Sequence, residues 1–340
     1  MKLGLIGLPG SGKQTIFEAL TGLVVDPGQR REDQIGTITV PDKRVDRLSK
    51  LYSPQKTIYA QVQYLLPGRA DDGDQDNAKA AANWLRAGTC DALIQVVRNF
   101  SPYGLAEPDP QSEIKELEEE LILADLMVVE KRAERLFKAQ KRGKKANPQE
   151  LTLIQHCLEY LNNGVPLRKD ETITEAPLLR GLALLSVKPI LFVHNQPDEA
   201  PRVPDLPENS LAIQGKLEQE LAQMSSEEAL ELQSLYEIEQ SAADRVIQRS
   251  YELLGQISFF TVGEDEVRAW TIRAGDDAQT AAGVIHSDIQ KGFIRAEVLA
   301  YNDLMAAGTY ANARKQGAVH VEGKTYRMQD GDIAHFRFNA

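Results

Sequence analysis

The apolar positions along the chain fall into blocks with different periods. Lys2 to Leu8 is a continuous run of strand length that breaks at Pro9-Gly10-Ser11-Gly12-Lys13, after which Ile16, Phe17, Leu20 and Leu23 recur at helical spacing. Asp91 to Val97 and Pro189 to Val193 are likewise unalternated, the pattern of strands buried on both faces, and helical patterns separate them. A parallel α/β sheet is predicted. Between these runs, Ile114, Leu117, Leu121, Ala124 and Val128 are followed, after a break at Gly143 to Pro148, by Leu151, Ile154, Leu158 and Leu161. The two stretches predict an antiparallel helical hairpin of coiled-coil type inserted in the sheet domain. Ser225 to Leu254 reads as one further helical stretch closing that domain. From Ser258 the pattern turns to strands (SFFTV, RAWTI), a helix through Ala281 to Lys291, then VHVEGKTYRM and IAHFRF, with a turn at Asp330-Gly331. The expected domains are 1–108 with 166–255, the hairpin 109–165, and a small mixed domain 256–340.

Composition narrows the function. The 340 residues carry 39 Lys plus Arg against 50 Asp plus Glu, a net charge of −11, so blanket electrostatic binding to nucleic acid is excluded and any such contact must be local. Basic and acidic residues nearly balance over 256–340, which therefore has no basic footprint of its own. Cys90 and Cys157 lie far apart without ligand spacing, which predicts neither a disulfide framework nor a zinc site and suits a reducing cytoplasm. No apolar run reaches membrane-spanning length, and the opening stretch is too short for a secretory leader. A soluble, cytoplasmic, monomeric protein is expected.

Gly7-Leu-Pro-Gly-Ser-Gly12-Lys13 matches a phosphate-binding loop through its lysine, in the strand-to-helix setting that motif requires. Glycines let successive N–H groups converge on phosphate oxygens, the helix N-terminus adds positive potential, and Lys13 reaches the β and γ phosphates. One position departs from the motif. Where Ser or Thr would ligate Mg²⁺, the chain has Gln14, followed by Thr15.

Together with GLPGSGKQTIFEALTG, the segments VPDKRVDRLSKLYSPQKT, ADLMVVEKRAERL, EVRAWTIRAG, AAGVIHSDIQKGFIRAEVLAYNDL and DGDIAHFRF resemble the YchF family of Obg-like ATPases nearly end to end. The resemblance implies a P-loop GTPase-type domain, an inserted helical hairpin and a C-terminal TGS domain of β-grasp type. It also implies binding of ATP or GTP and association with ribosomes. The cofactor-binding loop then falls on Gly10, Ser11, Gly12, Lys13, Gln14 and Thr15, with Lys13 the residue that stabilises charge in any hydrolysis. Where the family has Asp-Ile-Ala-Gly, alignment through Val62 to Gly68 places Leu65 at the aspartate and keeps only Gly68. The segment Asp26 to Gly36 is shorter than the family's switch region and lacks a clear counterpart of its metal-binding Thr. No metal ligand is assigned, and Mg²⁺ is expected to contribute little.

The base-reading motif is Asn195-Gln196-Pro197-Asp198, after the PILFV strand. Its Asp favours guanine while Gln196 in place of lysine does not, so ATP and GTP both stay open; Gln214-Gly215-Lys216 stands where the family has Ser-Ala-Lys. His194 lies beside this turn, either close to a nucleotide or simply ending a strand. Between Lys131 and Lys145, the basic residues Lys131, Arg132, Arg135, Lys138, Lys141, Arg142, Lys144 and Lys145 face a single acid, Glu134. That hairpin tip is either an RNA or ribosome contact, shared with the TGS domain, or a solvated helix end. Two readings of function follow. One is a nucleotide-binding regulatory protein with weak or absent hydrolysis; the other is a pseudo-GTPase adaptor that binds RNA or protein without turnover.

Overall fold

The computed structural model describes residues 1–68, 86–101, 106–142, 147–198, 206, 209–236, 238 and 240–339. They form two compact units, Met1–Thr37 with Gln63–Ser250, and Ile38–Val62 with Tyr251–Ala340. The expected division differs: the hairpin 109–165 is not split off, the break falls after Ser250 rather than after 255, and Ile38–Val62 belongs with the C-terminal unit.

The first unit is built on a six-stranded sheet of β1 (Lys2–Ile6), β2 (Gln34–Thr39), β4 (Gln61–Leu66), β5 (Ala92–Arg98), β6 (Ile190–Asn195) and β7 (Ser210–Ile213), in the order β2-β4-β1-β5-β6-β7. The pairings of β1 with β4 and β5, of β5 with β6 and of β6 with β7 are all parallel. This is the predicted α/β sheet. Its central strands read as continuous apolar runs because both faces are covered; in β5 every residue before Arg98 is buried. The chain leaves β1 for β4 on one side and returns to β5 on the other, so the carboxyl end of β1 lies at the point where strand order reverses, the usual place for a ligand in such sheets.

The helix Lys13–Thr21 follows β1 through the glycine turn and buries Ile16, Phe17 and Leu20. Gly22, at φ 69°, stops it by donating its N–H to the Glu18 carbonyl at 2.8 Å, so Leu23, expected on the buried face, lies beyond the helix and is exposed. The hairpin helices are Pro110–Lys141 and Pro148–Asn162, each started by Pro at a first-turn position and an Asp or Asn cap. The long helix serves two cores in succession. Leu117, Leu121 and Ala124 pack with Ile6 and Leu93 of the sheet and with Leu185 ahead of β6, whereas Val129, Ala133 and Leu136 pack with Ile154, Cys157 and Leu161 of the second helix. The single predicted stripe is therefore divided between sheet and hairpin. Asp125, fully buried at the junction, accepts from Leu185 N (2.8 Å), Ser186 N (2.7 Å) and Ser186 Oγ (2.6 Å). The stretch Ser225–Leu254 contains two helices, Ser226–Leu235 and Ala242–Leu253, because Ile238 turns inward against Leu217 and Leu221 and Ser241 restarts the chain by accepting from Asp244 N.

The second unit is a mixed six-stranded sheet. It comprises β3 (Lys56–Ile58), β8 (Gln256–Val262), β9 (Glu266–Arg273), β10 (Phe293–Ala300), β11 (His320–Glu322) and β12 (Asp332–Phe338), ordered β11-β10-β12-β8-β9-β3. Alternation along β8 sends Phe259 into one core, with Ala281, Ala296 and Val298, and Phe260 into the other, with Val45, Leu48, Leu299 and Ile333. The helix Lys43–Tyr52, which carries Val45 and Leu48, and β3, parallel to β9, thus complete this unit from the first sixty-odd residues of the chain. The predicted helix through Ala281 to Lys291 is two, Ala278–Ile285 and Ser287–Lys291, broken at an extended His286 whose Nδ1 accepts from Asp288 N. Trp270 packs with Phe259 in the sheet, as a core residue.

Candidate nucleotide-binding site

At the carboxyl end of β1 the chain must turn sharply into a helix, and glycine makes this possible at two close approaches. Gly7 (φ 152°) has no room for a Cβ, which would lie 2.5 Å from the Val96 carbonyl. Gly12 (φ 89°) is in the left-handed region, and a Cβ there would lie 2.2 Å from Asn195 Nδ2. Between them Ser11 is buried and donates its N–H to the Leu8 carbonyl. Lys13 folds back over the loop it follows, its Nζ donating to the carbonyls of Gly7 at 2.7 Å and Leu8 at 2.8 Å. These bonds hold the ammonium at the loop rather than in bulk solvent.

The loop forms the floor of a cleft of about 340 Å³, lined by Gly10, Gly12, Lys13, Gln14 and Thr15 and walled by Val25, Arg30, Glu32, Gln34, Leu66 and Pro67. Five of the sequence-predicted residues thus share one concavity of the size that takes small molecules. Gln14 is tied sideways. Its Nε2 donates to Glu18 Oε1 at 2.9 Å, the same oxygen accepts from Val25 N at 3.0 Å, and the other Glu18 oxygen accepts from Gln219 Nε2. Leu65 is buried in β4. The Gly68 N–H donates to Asp33 Oδ1 at 3.1 Å, and the same oxygen pairs with Arg86. A Cβ on Gly68 would sit 2.1 Å from the Arg31 carbonyl, so the backbone of the 26–36 segment rests directly on this glycine.

The base-reading residues are placed less uniformly. Asn195, buried at the end of β6, donates Nδ2–H to the Ser11 carbonyl at 3.1 Å and accepts from Gly215 N at 3.2 Å, joining the loop to the start of the helix Gly215–Gln223. Asp198 Oδ1 accepts from Leu217 N at 3.1 Å in the first turn of that helix, and its carbonyl accepts from Gln214 Nε2 at 2.8 Å. Gln196 is buried with its N–H on the Ile213 carbonyl, and it lies outside the cleft lining, as do Ser11, Asn195 and Asp198. His194 is buried in β6, where desolvation lowers its pKa and keeps the imidazole neutral. At the hairpin tip Arg132 pairs with Glu150 and Lys138 with Glu134, while Lys131, Arg135, Lys141 and Arg142 are exposed. Lys144 and Lys145 lie outside the described residues. No helix among the described residues is long and apolar enough to cross a membrane, and none of their His, Cys, Asp and Glu side chains gather in threes to hold a metal.

Sequence comparison decides the family. The "Ribosome-binding ATPase YchF" of Bacillus subtilis is 36% identical over 364 aligned positions, spanning 99% of this chain and 98% of that protein. The chain belongs to the YchF family. The protein of the same name from Haemophilus ducreyi is 34% identical over 99% of both chains. The family profile YchF-GTPase_C, described as a protein of unknown function (DUF933), matches residues 256–339. Among solved structures, the Schizosaccharomyces pombe YchF GTPase superposes with a TM-score of 0.79 at 29% identity, covering 99% of this chain and 97% of that one. The architecture expected from the YchF resemblance, a parallel P-loop sheet followed by a second sheet-bearing unit, is the one the structure has.

The strand, glycine turn and helix that carry the cleft floor were legible in the sequence, and the rest of the lining was not. Arg30, Glu32 and Gln34 line the cleft from a segment read only for an absent threonine. Its local charge, Arg30-Arg31-Glu32-Asp33, was the available signal. Glu18 was missed because nothing in a helical pattern marks one buried acid among exposed ones.

Proposed function

We propose that this chain is a nucleotide-binding regulatory protein of YchF type, acting in the cytoplasm as a monomer in association with the ribosome. The observation that carries the reading is the assembled cradle. Gly7 and Gly12 are placed where only glycine fits, Lys13 is held over the loop, and Asn195 locks the loop to the base-side helix. Such a nest of N–H groups with a helix N-terminus and an ammonium suits a polyphosphate. The names of the bacterial relatives support ATP and ribosome binding. ATP is favoured over GTP by the name those relatives carry.

The residues at the metal positions do not fit Mg²⁺. Such an ion prefers anionic oxygens and near-octahedral geometry. Gln14 offers a neutral amide tethered to Glu18, Leu65 offers no oxygen, and the 26–36 segment has no threonine to ligate the ion. Nucleotide affinity then depends little on Mg²⁺, and hydrolysis, relying on Lys13 and positioning, is slow. The same three observations support the second reading, a scaffold with no turnover. Phosphate release from the wild type and from Lys13→Ala separates the two: release that Lys13→Ala abolishes indicates an enzyme, and equal background from both indicates a scaffold. The hairpin tip and the C-terminal unit, which we assign as TGS-like, are the surfaces that contact ribosomal RNA.

A further inference from the structure

The cleft wall that carries Arg30, Glu32 and Gln34 is a built segment. Asp26 starts a short 3₁₀ turn, Pro27–Gln29, by accepting from Gly28 N at 2.7 Å, and Glu32 N donates to the Gln29 carbonyl at 3.0 Å. Gln34 Nε2 closes on that carbonyl at 3.2 Å. Asp33 anchors the segment to Gly68 N and Arg86, and the missing Cβ of Gly68 lets the Arg31 backbone settle against it. Arg30 follows the turn, is exposed, and lines the cleft whose floor carries Lys13. The charged side chains of the lining are these two cations and one acid, Glu32.

A nucleoside triphosphate brings more negative charge than one lysine and a loop of amides balance, and phosphate-loop proteins ordinarily meet the excess with a divalent ion. Here the residues that would hold that ion do not fit it. We propose that Arg30 is the second phosphate-binding cation of this cleft, meeting the terminal phosphate of a bound nucleoside triphosphate together with Lys13 and supplying charge neutralisation from within the chain. The inference rests on the nucleotide-binding reading above. A guanidinium suits the task because it stays charged and its planar fork matches two phosphate oxygens. Glu32 is then a repulsive neighbour of the phosphate rather than a metal ligand, and the sign of its effect separates the two roles.

The test is calorimetric titration of ATP and of ADP into the full-length chain, with Mg²⁺ or with excess EDTA, for wild type, Arg30→Ala, Arg30→Lys and Glu32→Gln. Wild type is expected to bind ATP in EDTA within about threefold of its affinity in Mg²⁺. Arg30→Ala should weaken ATP by about tenfold, the scale of one charge-assisted bond removed, and ADP by less, with Arg30→Lys in between. Glu32→Gln should tighten ATP in EDTA. ATP affinity unchanged by Arg30→Ala in EDTA would overturn the inference and leave the nucleotide reading standing. So would an affinity that collapses in EDTA and that Glu32→Gln weakens in Mg²⁺, since the acid would then be holding a metal. Wild type that binds neither nucleotide would overturn both.

Discussion

Asn195 is the best place to test how the cradle is held. Its amide is wedged between two glycines: a Cβ on Gly12 would lie 2.2 Å from Nδ2 and one on Gly215 would lie 2.4 Å from Oδ1. It makes two bonds, to the Ser11 carbonyl and from Gly215 N. Asn195→Ala leaves both backbone groups without these partners in a buried setting, at about 1–3 kcal/mol each, so a loss of about 2–4 kcal/mol in the first unit is expected after partial relaxation. Asn195→Asp keeps the acceptor for Gly215 N but sets a carboxylate against the Ser11 carbonyl, and should be no better than Ala. Because the chain has two units, global unfolding is not the cleanest readout. Amide hydrogen exchange at Gly215 should quicken by about 30-fold for a 2 kcal/mol local loss in Asn195→Ala while exchange in β8 stays unchanged. Protection at Gly215 within about twofold of wild type in both variants would refute the idea that this side chain joins loop to helix.

Burial pushes the Asp125 carboxyl up to about 6, against lowering by its Ser186 and Leu185 bonds and by Lys188. The folded value lies above the ordinary carboxylate value of 3.8, so the contribution is fully present below about pH 4 and disappears as pH rises through about 6, roughly 3 kcal/mol in all. Subtracting the urea-unfolding profile of Asp125→Asn from that of wild type should expose this slope; parallel profiles between pH 4 and 7 would count against it. Gly68→Ala should cost about 1–3 kcal/mol and move the 26–36 segment, since the added Cβ meets the Arg31 carbonyl, and an unchanged melting temperature would contradict the packing. Replacing the exposed Lys141 and Arg142, with Lys138, by Ala should weaken co-sedimentation with ribosomes and flatten its salt dependence by up to about one log–log unit for each phosphate that is no longer neutralised. Unaltered co-sedimentation would move the ribosome-binding surface elsewhere on the chain.

The parts of the fold that sequence revealed are those in which local pattern and tertiary demand agree. β1, the loop and the following helix are contiguous, and β5 and β6 announce themselves because burial on both faces leaves no polar alternation. The hairpin was legible by its period, but period does not say what a helix buries against, and so the handover from the sheet at Leu121 to the second helix at Val129 was not. The placement of Ile38–Val62 was hidden for a different reason. β3 pairs with β9 across some two hundred residues in register Lys56↔Glu266, and such long-range parallel pairing leaves no local mark. At the site, glycines and Lys13 carried their signal in their spacing. The engagement of Gln14 by Glu18, and of the Gly68 N–H by Asp33, depends on side chains meeting across the fold and became visible only in three dimensions.

The most direct test of the account is titration of ATP, in the presence of EDTA, into wild type and into Lys13→Ala. The cradle as built predicts saturable binding of one ATP per chain by the wild type and its loss in Lys13→Ala, whose side chain no longer reaches across the loop to the Gly7 and Leu8 carbonyls. Absence of binding by the wild type, or equal affinity in the two proteins, would contradict the claim that this loop holds the nucleotide's phosphates.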